Sequence, residues 1–223
     1  MTTVSGGSFA SPCVSPRPMQ PHVMPVHVGW VEVVTGCMFS GKTEELIKRL
    51  RRAQYARQSV VVFKPRIDDR YAEDSVGSHS GQRMRSVQID RADQIRDLVG
   101  DAQVVGVDEA QFFDNTLVDV VEDLANSGRR VVVAGLDMDY RGRPFEPIPH
   151  LLAVAEYIQK NLAICVVCGN PADRSQRIVN RGSRVLVGEK DAYEARCRLH
   201  WDPNNFDPRQ ERLPLGENLA ESR

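Results

Sequence analysis

Apolar positions along this chain alternate between two periods, and the alternation predicts its architecture. Val31 to Val34, Val60 to Phe63, Val104 to Val107 and Val131 to Ala134 are short apolar runs of strand length. Between them, Leu46, Ile47, Leu50 and Ala53 recur at helical spacing, and Leu117, Val118, Val121 and Leu124 define one face of another helix. Leu151, Leu152, Ala155 and Ile158 predict a further helix. Strands alternating with helices predict an α/β fold over residues 29–162, a parallel sheet flanked by helices on both faces. Residues 1–28 are rich in Ser, Pro and Gly without sustained periodicity and predict a disordered extension, in which Cys13 is incidental. Residues 202–223 are charged and Pro-rich and predict a flexible tail.

Composition narrows the classes. With 223 residues, 41% of them hydrophobic, the chain can bury a real core and carry a small appendage. A net charge of −1 argues against an electrostatic hold on nucleic acid. No apolar run approaches the roughly 18 residues that span a bilayer, so no membrane partner and a soluble, cytoplasmic protein are expected. Five cysteines, two of them in Cys165-x-x-Cys168, fit metal binding in a reducing compartment better than a disulfide framework.

The densest chemistry lies in Gly36-Cys37-Met38-Phe39-Ser40-Gly41-Lys42-Thr43, which matches G-x-x-x-x-G-K-[ST] between the first strand and the first helix. That context is the phosphate loop of a P-loop NTPase-type sheet. Glycines let backbone N–H groups turn onto phosphate oxygens, and the helix N-terminus favours their charge. Lys42 would reach the β and γ phosphates of ATP, and the Thr43 hydroxyl would ligate Mg²⁺. The alternative is a glycine-rich turn that binds nothing.

A second apolar strand ends in Asp108-Glu109, followed by Ala110, Gln111, Phe112 and Phe113. Beside a phosphate loop, one acid can hold Mg²⁺ and its neighbour can take the proton of the attacking nucleophile. Asp108 is the candidate for the metal and Glu109 for the base; otherwise the pair only opens a turn. The aromatics could pack on a flat base, with an ordinary core role equally open for Phe113.

Cys165, Cys168, Cys197 and His200 form two short-spaced pairs whose three thiolates and one imidazole satisfy tetrahedral zinc and leave no position for a substrate. Such a Zn²⁺ is structural. Arg177 to Val179 and Arg184 to Gly188 read as strands joined by Asn180 to Ser183, so the metal would fasten the base of an excursion that ends near Tyr193. Residues 163–201 are thus expected to form a small zinc-bound β-rich domain able to act as a lid.

Together with the segments Lys64 to Tyr71 and Gly135 to Phe145, these motifs resemble, in order, those of the type II thymidine kinases, the zinc-containing class. The likeness covers about Gly29 to Trp201. It implies ATP- and Mg²⁺-dependent phosphorylation of the thymidine 5′-hydroxyl to dTMP in nucleotide salvage. It implies that Glu109 accepts the proton and that Gly36 to Thr43, Asp68, Asp69, Arg70 and Asp108 to Gln111 bind the nucleotide. It places Phe112, Leu136, Tyr140, Arg184, Val185, Leu186, Val187, Gly188 and Tyr193 at the nucleoside, the last six in a thymidine-binding lasso. A homotetramer with feedback inhibition by dTTP is also implied. Cys37 stands where the family commonly has Pro, and a thiol there is expected to confer partial sensitivity to thiol reagents. Two rivals are a P-loop ATPase with a nucleic-acid-binding zinc ribbon, disfavoured by the balanced charge and 6% aromatic content, and a kinase for another nucleoside.

Overall fold

In a computed structural model, residues 28–67, 75–77, 83–178 and 192–203 are described, with strand backbone alone for 75–77 and 83. The expected terminal extensions therefore lie outside the described residues, except for their inner ends. Twelve strands and four helices follow in chain order: β1 (Trp30–Gly36), α1 (Lys42–Tyr55), β2 (Val60–Pro65), β3 (Ser75–Gly77), β4 (Arg83–Arg85), β5 (Val87–Ile89), α2 (Gln94–Leu98), β6 (Val104–Val107), α3 (Thr116–Asn126), β7 (Arg130–Gly135), α4 (Ile148–Val154), β8 (Tyr157–Asn161), β9 (Ala163–Ile164), β10 (Pro171–Ala172), β11 (Arg174–Arg177) and β12 (Tyr193–Arg196).

Six strands form one sheet in the order β5-β2-β6-β7-β1-β8, and every neighbouring pair is parallel. The four strands read within residues 29–162 all occur; of the two read beyond them, the first is shifted, the strand running Arg174–Arg177 with Ile178 outside it, and Arg184 to Gly188 lie outside the described residues. Their side chains alternate between two cores, as a period of two requires. Val31, Val33, Val105, Val107, Val131 and Val133 face α2, α3 and α4. Val34, Val104, Val132 and Ala134 face Leu46, Ile47, Leu50 and Ala53 of α1. Burial on both faces explains why these strands read as continuous apolar runs. Gly106 admits α1 closely: a Cβ there would lie 2.6 Å from Leu50 Cδ1.

One reading is extended and one is corrected. On α3, Val120 joins Leu117, Val121 and Leu124 in full burial, while Val118 is only half-buried. The helix expected through Ile158 stops at Val154; Ala155 turns extended (ψ 134°), and Ile158 lies in β8, which pairs with β1 at the sheet edge. Ile158 is 54% exposed, so the apolar spacing there was not a helix face.

The sheet buries a carboxylate beside strand β7. Glu32 of β1 accepts hydrogen bonds from Arg130 Nε (2.6 Å), Arg49 Nη1 (2.8 Å) and Trp30 Nε1 (2.8 Å). Burial favours the neutral acid, yet hydrogen bonding and attraction from Arg130, with help from Trp30 and Arg49, hold its pKa below the usual 4.5. A depressed carboxylate contributes stability above its unfolded pKa and loses it as pH falls through the folded one. Stability of the native protein against urea should therefore fall more steeply below about pH 4.5 than that of Glu32→Gln, with Glu32→Gln destabilised by roughly 3 kcal/mol at neutral pH. Parallel pH profiles for the two would remove Glu32 from the acid response.

Candidate functional site

The carboxyl ends of β1, β6 and β7 meet at one edge of the sheet, where open α/β sheets bind ligands. Gly36 leaves β1 at φ 140°, Phe39 lies at φ 65° and Gly41 at φ 77°, which bends the loop back before α1 begins. A Cβ on Gly36 would fall 2.2 Å from the Asn161 carbonyl oxygen, so only glycine fits against β8. Gly41 caps α1 without any side-chain cap hydrogen bond, leaving first-turn N–H groups for an anion. The Ser40 hydroxyl is buried without a hydrogen-bond partner among the described residues, a donor that a phosphate oxygen would satisfy.

Lys42 donates to the Cys37 carbonyl at 2.8 Å. Burial presses its pKa down; Glu109, Cys37, Asp108 and Asp137 act against that. Thr43 Oγ1 lies 3.2 Å and 3.3 Å from the two Asp108 oxygens, so the hydroxyl and carboxylate expected at Mg²⁺ are already side by side. Glu109 is buried and held at φ 51°, ψ 41°, a left-handed conformation rare for a non-glycine residue. Gln111 grips it: Nε2 donates to Glu109 Oε2 at 2.5 Å, while Oε1 accepts the Leu136 N–H at 3.0 Å. Because a backbone N–H can only donate, the amide orientation is determined and its NH₂ must face the acid. Gln111 thus ties the candidate base to the chain just beyond β7.

Phe113 is core, whereas Phe112 and Leu136 are half-buried near this edge. Tyr140 packs with Ala192, Tyr193 and Met38. Met38, expected at the nucleotide, therefore sends its side chain to the two tyrosines, and its N–H donates to Ser175 Oγ at 3.0 Å. Asp139 shapes the turn carrying Tyr140, its Oδ1 accepting the N–H groups of Arg141 (2.9 Å) and Arg143 (3.0 Å). Asp68, Asp69, Arg70, Arg184, Val185, Leu186, Val187 and Gly188 lie outside the described residues, as do Asn180 to Ser183 and Val179. Ser175 carries no motif that sequence reasoning could have found, and although Asp137 lies within the Gly135 to Phe145 segment, nothing in the sequence signalled its influence on Lys42.

Cys165, Cys168, Cys197 and His200 bring their donor atoms within 4.8 Å of one another. Cys168 Sγ and Cys197 Sγ are 3.7 Å apart, and His200 Nδ1 is 3.3 Å from Cys197 Sγ and 3.8 Å from Cys165 Sγ. Zn–S bonds of about 2.3 Å in a tetrahedron give edges of about 3.8 Å, so the donor set fits zinc. Burial opposes ionisation of Cys165, but backbone N–H groups of Cys197, Val167 and Cys168 bring its thiol down to about 6, suited to a thiolate ligand.

The expectation for Cys37 is overturned. Its thiol is 2% exposed, donates to the Ala172 carbonyl at 3.3 Å, and packs among Ala163, Cys165, Ala172, Ala195 and Cys197. Burial raises its pKa, with Lys42 only partly opposing, so reactive thiolate is scarce. Peptide mapping after maleimide treatment should find Cys37 unmodified in native protein and labelled after denaturation; labelling at equal rates in both would contradict the packing.

Comparison with known proteins agrees with this geometry. The sequence model of the family described as thymidine kinase matches residues 29–201. A thymidine kinase of Rhodothermus sp. (strain ITI 518) is 58% identical over 188 residues, 83% of this chain and 88% of that protein. One from Bdellovibrio bacteriovorus (strain ATCC 15356 / DSM 50701 / NCIMB 9529 / HD100) is 56% identical over 176 residues, 78% of this chain and 86% of that protein. With its phosphate loop, paired acids and Cys/His cluster inside the matched span, the chain belongs to the thymidine kinase family.

Proposed function

We propose that the protein transfers the γ-phosphoryl group of ATP to the 5′-hydroxyl of thymidine, giving dTMP and ADP for nucleotide salvage. The observation that carries this reading is the meeting of Thr43 with Asp108, and of Glu109 with Gln111, beside the phosphate loop. Lys42 exchanges the Cys37 carbonyl for phosphate oxygens, and loop N–H groups with Ser40 hold the rest. Thr43 and Asp108 would hold Mg²⁺, which would supply neutralisation of phosphate charge there. A sugar hydroxyl is far too weakly acidic to ionise at neutral pH, so Glu109 takes its proton as the new P–O bond forms. Arg70, with Asp68 and Asp69, completes the nucleotide contacts in this reading.

The nucleoside lies against Phe112, Leu136, Tyr140 and Tyr193, with Arg184 to Gly188 reading the base through backbone groups. Residues 29–162 form the nucleotide-binding part and residues 163–201 the zinc-fastened part that presents the lasso. Zn²⁺ on Cys165, Cys168, Cys197 and His200 supplies rigidity and no chemistry. dTTP carries both a thymine and a triphosphate, so it suits both halves of the site and acts as a feedback inhibitor. Exposed Ile158, Leu162 and Ile164 on and beside the edge strand β8 support self-association as a homotetramer. A thiolate metal site suits a reducing compartment, hence the cytoplasm; no helix among the described residues is long and apolar enough to cross a membrane.

Transfer from labelled ATP with Mg²⁺ tests the reading: label should appear in dTMP with thymidine as acceptor and scarcely in dCMP with deoxycytidine. Free labelled phosphate without an acceptor would favour an ATPase instead. Glu109→Gln should lower kcat by roughly 10²-fold or more while ATP affinity, measured by calorimetry, stays intact. An equal loss of ATP affinity would contradict its role as base.

A further inference from the structure

Trp201 follows the metal ligand His200, yet its side chain serves the loop that carries Tyr140. Its Nε1 donates to the Tyr140 carbonyl at 3.1 Å across 61 residues of sequence. Its ring lies on Gly142, where a Cβ would sit 2.7 Å from Cη2, so the loop closes onto the indole with no room for a side chain. On its other contacts, the Arg174 guanidinium stands 5.3 Å from the ring centre and is itself paired with Asp173 at 2.7 Å. The Trp201 backbone N–H donates to the Cys197 carbonyl at 3.0 Å, as does that of His200, so the indole projects directly from the metal knuckle. Tyr140 is then held from two sides: its carbonyl by Trp201, its ring by Arg177 at 5.0 Å.

We infer that Trp201 is a positioning residue for the nucleoside: it transmits the order of the zinc knuckle to Tyr140 and so sets the place of that ring in the thymidine pocket. This rests on the reading that Tyr140 touches thymidine. The phosphate loop is braced through other groups, Cys37 with Ala172 and the Met38 N–H with Ser175, and touches Tyr140 through the Met38 side chain, so ATP binding should depend on the indole less than thymidine binding does.

The zinc-loaded full chain carrying Trp201→Phe keeps an aromatic ring but loses the N–H and the indole atoms that lie against Gly142. Its thymidine KM should rise about fivefold or more, the lost hydrogen bond alone accounting for about fivefold, with the ATP KM and kcat changed less than about twofold. An equal rise in both KM values, or no rise in that for thymidine while Tyr140→Ala is impaired, would overturn the inference alone. Normal thymidine KM in Tyr140→Ala would instead remove the reading beneath it. A measurement independent of activity uses the chain's two tryptophans. In Trp30→Phe protein, Trp201 is the sole tryptophan and can be excited selectively over the tyrosines; thymidine without ATP should alter its emission, and chelation of zinc should shift that emission to the red and abolish the response. Emission that ignores both thymidine and chelator would sink the proposal even if Trp201→Phe failed to fold.

Discussion

Parallel pairing of β6, β7 and β1 is the constraint on which the rest depends. Val107 is in register with Val133, and Val133 with Val33, so three strands reach the same level before their chains leave the sheet. Just beyond that level stand Asp108 and Glu109 from β6, Leu136 from β7 and the phosphate loop from β1. Antiparallel pairing would send these ends to opposite edges, and Thr43 could not meet Asp108 at 3.2 Å. Short segments at strand ends gain their precision from strands that hydrogen bonds hold on both sides. The Gln111 amide extends the same frame one layer further, borrowing the Leu136 N–H to steady Glu109.

The metal knuckle adds a second frame to the first. Through the Cys37 thiol and the Met38 N–H it braces the phosphate loop, and through Trp201 it braces the Tyr140 loop. A cluster of small residues, Ala163, Ala172 and Ala195, with Cys37 between them, is too modest a core to hold these strands alone. Four metal–ligand bonds at the Cys165, Cys168, Cys197 and His200 cluster would supply what apolar burial there cannot. The same packing silences Cys37, which is why a thiol can occupy a phosphate loop without making it vulnerable.

Much of the sheet was legible because its strands are buried on both faces and contain almost nothing but β-branched and small residues. The Leu46, Ile47, Leu50 and Ala53 stripe was legible for the complementary reason, a single covered face at period 3.6. β8 was missed because an edge strand alternates exposure and carries few apolar side chains, so Ile158 could be counted into the preceding helix. Cys37 was misjudged since sequence shows a thiol's chemistry and not its burial. Trp201 offered no signal: its partner lies 61 residues away, and no local pattern encodes such a contact.

The sequence by itself determined which local shapes the chain could take and which donor groups it could offer. Periodicity, glycines at positive φ, and the spacing of Lys42, Thr43, Asp108, Glu109 and the Cys/His pairs are all local properties, fixed by sterics and side-chain chemistry. Only the tertiary structure decided which of those groups meet: Thr43 with Asp108, Gln111 with both Glu109 and Leu136, Met38 with Tyr140 and Tyr193, Trp201 with Tyr140. Such meetings depend on strand order and loop closure across many residues, and a free energy of packing summed over the whole core selects them.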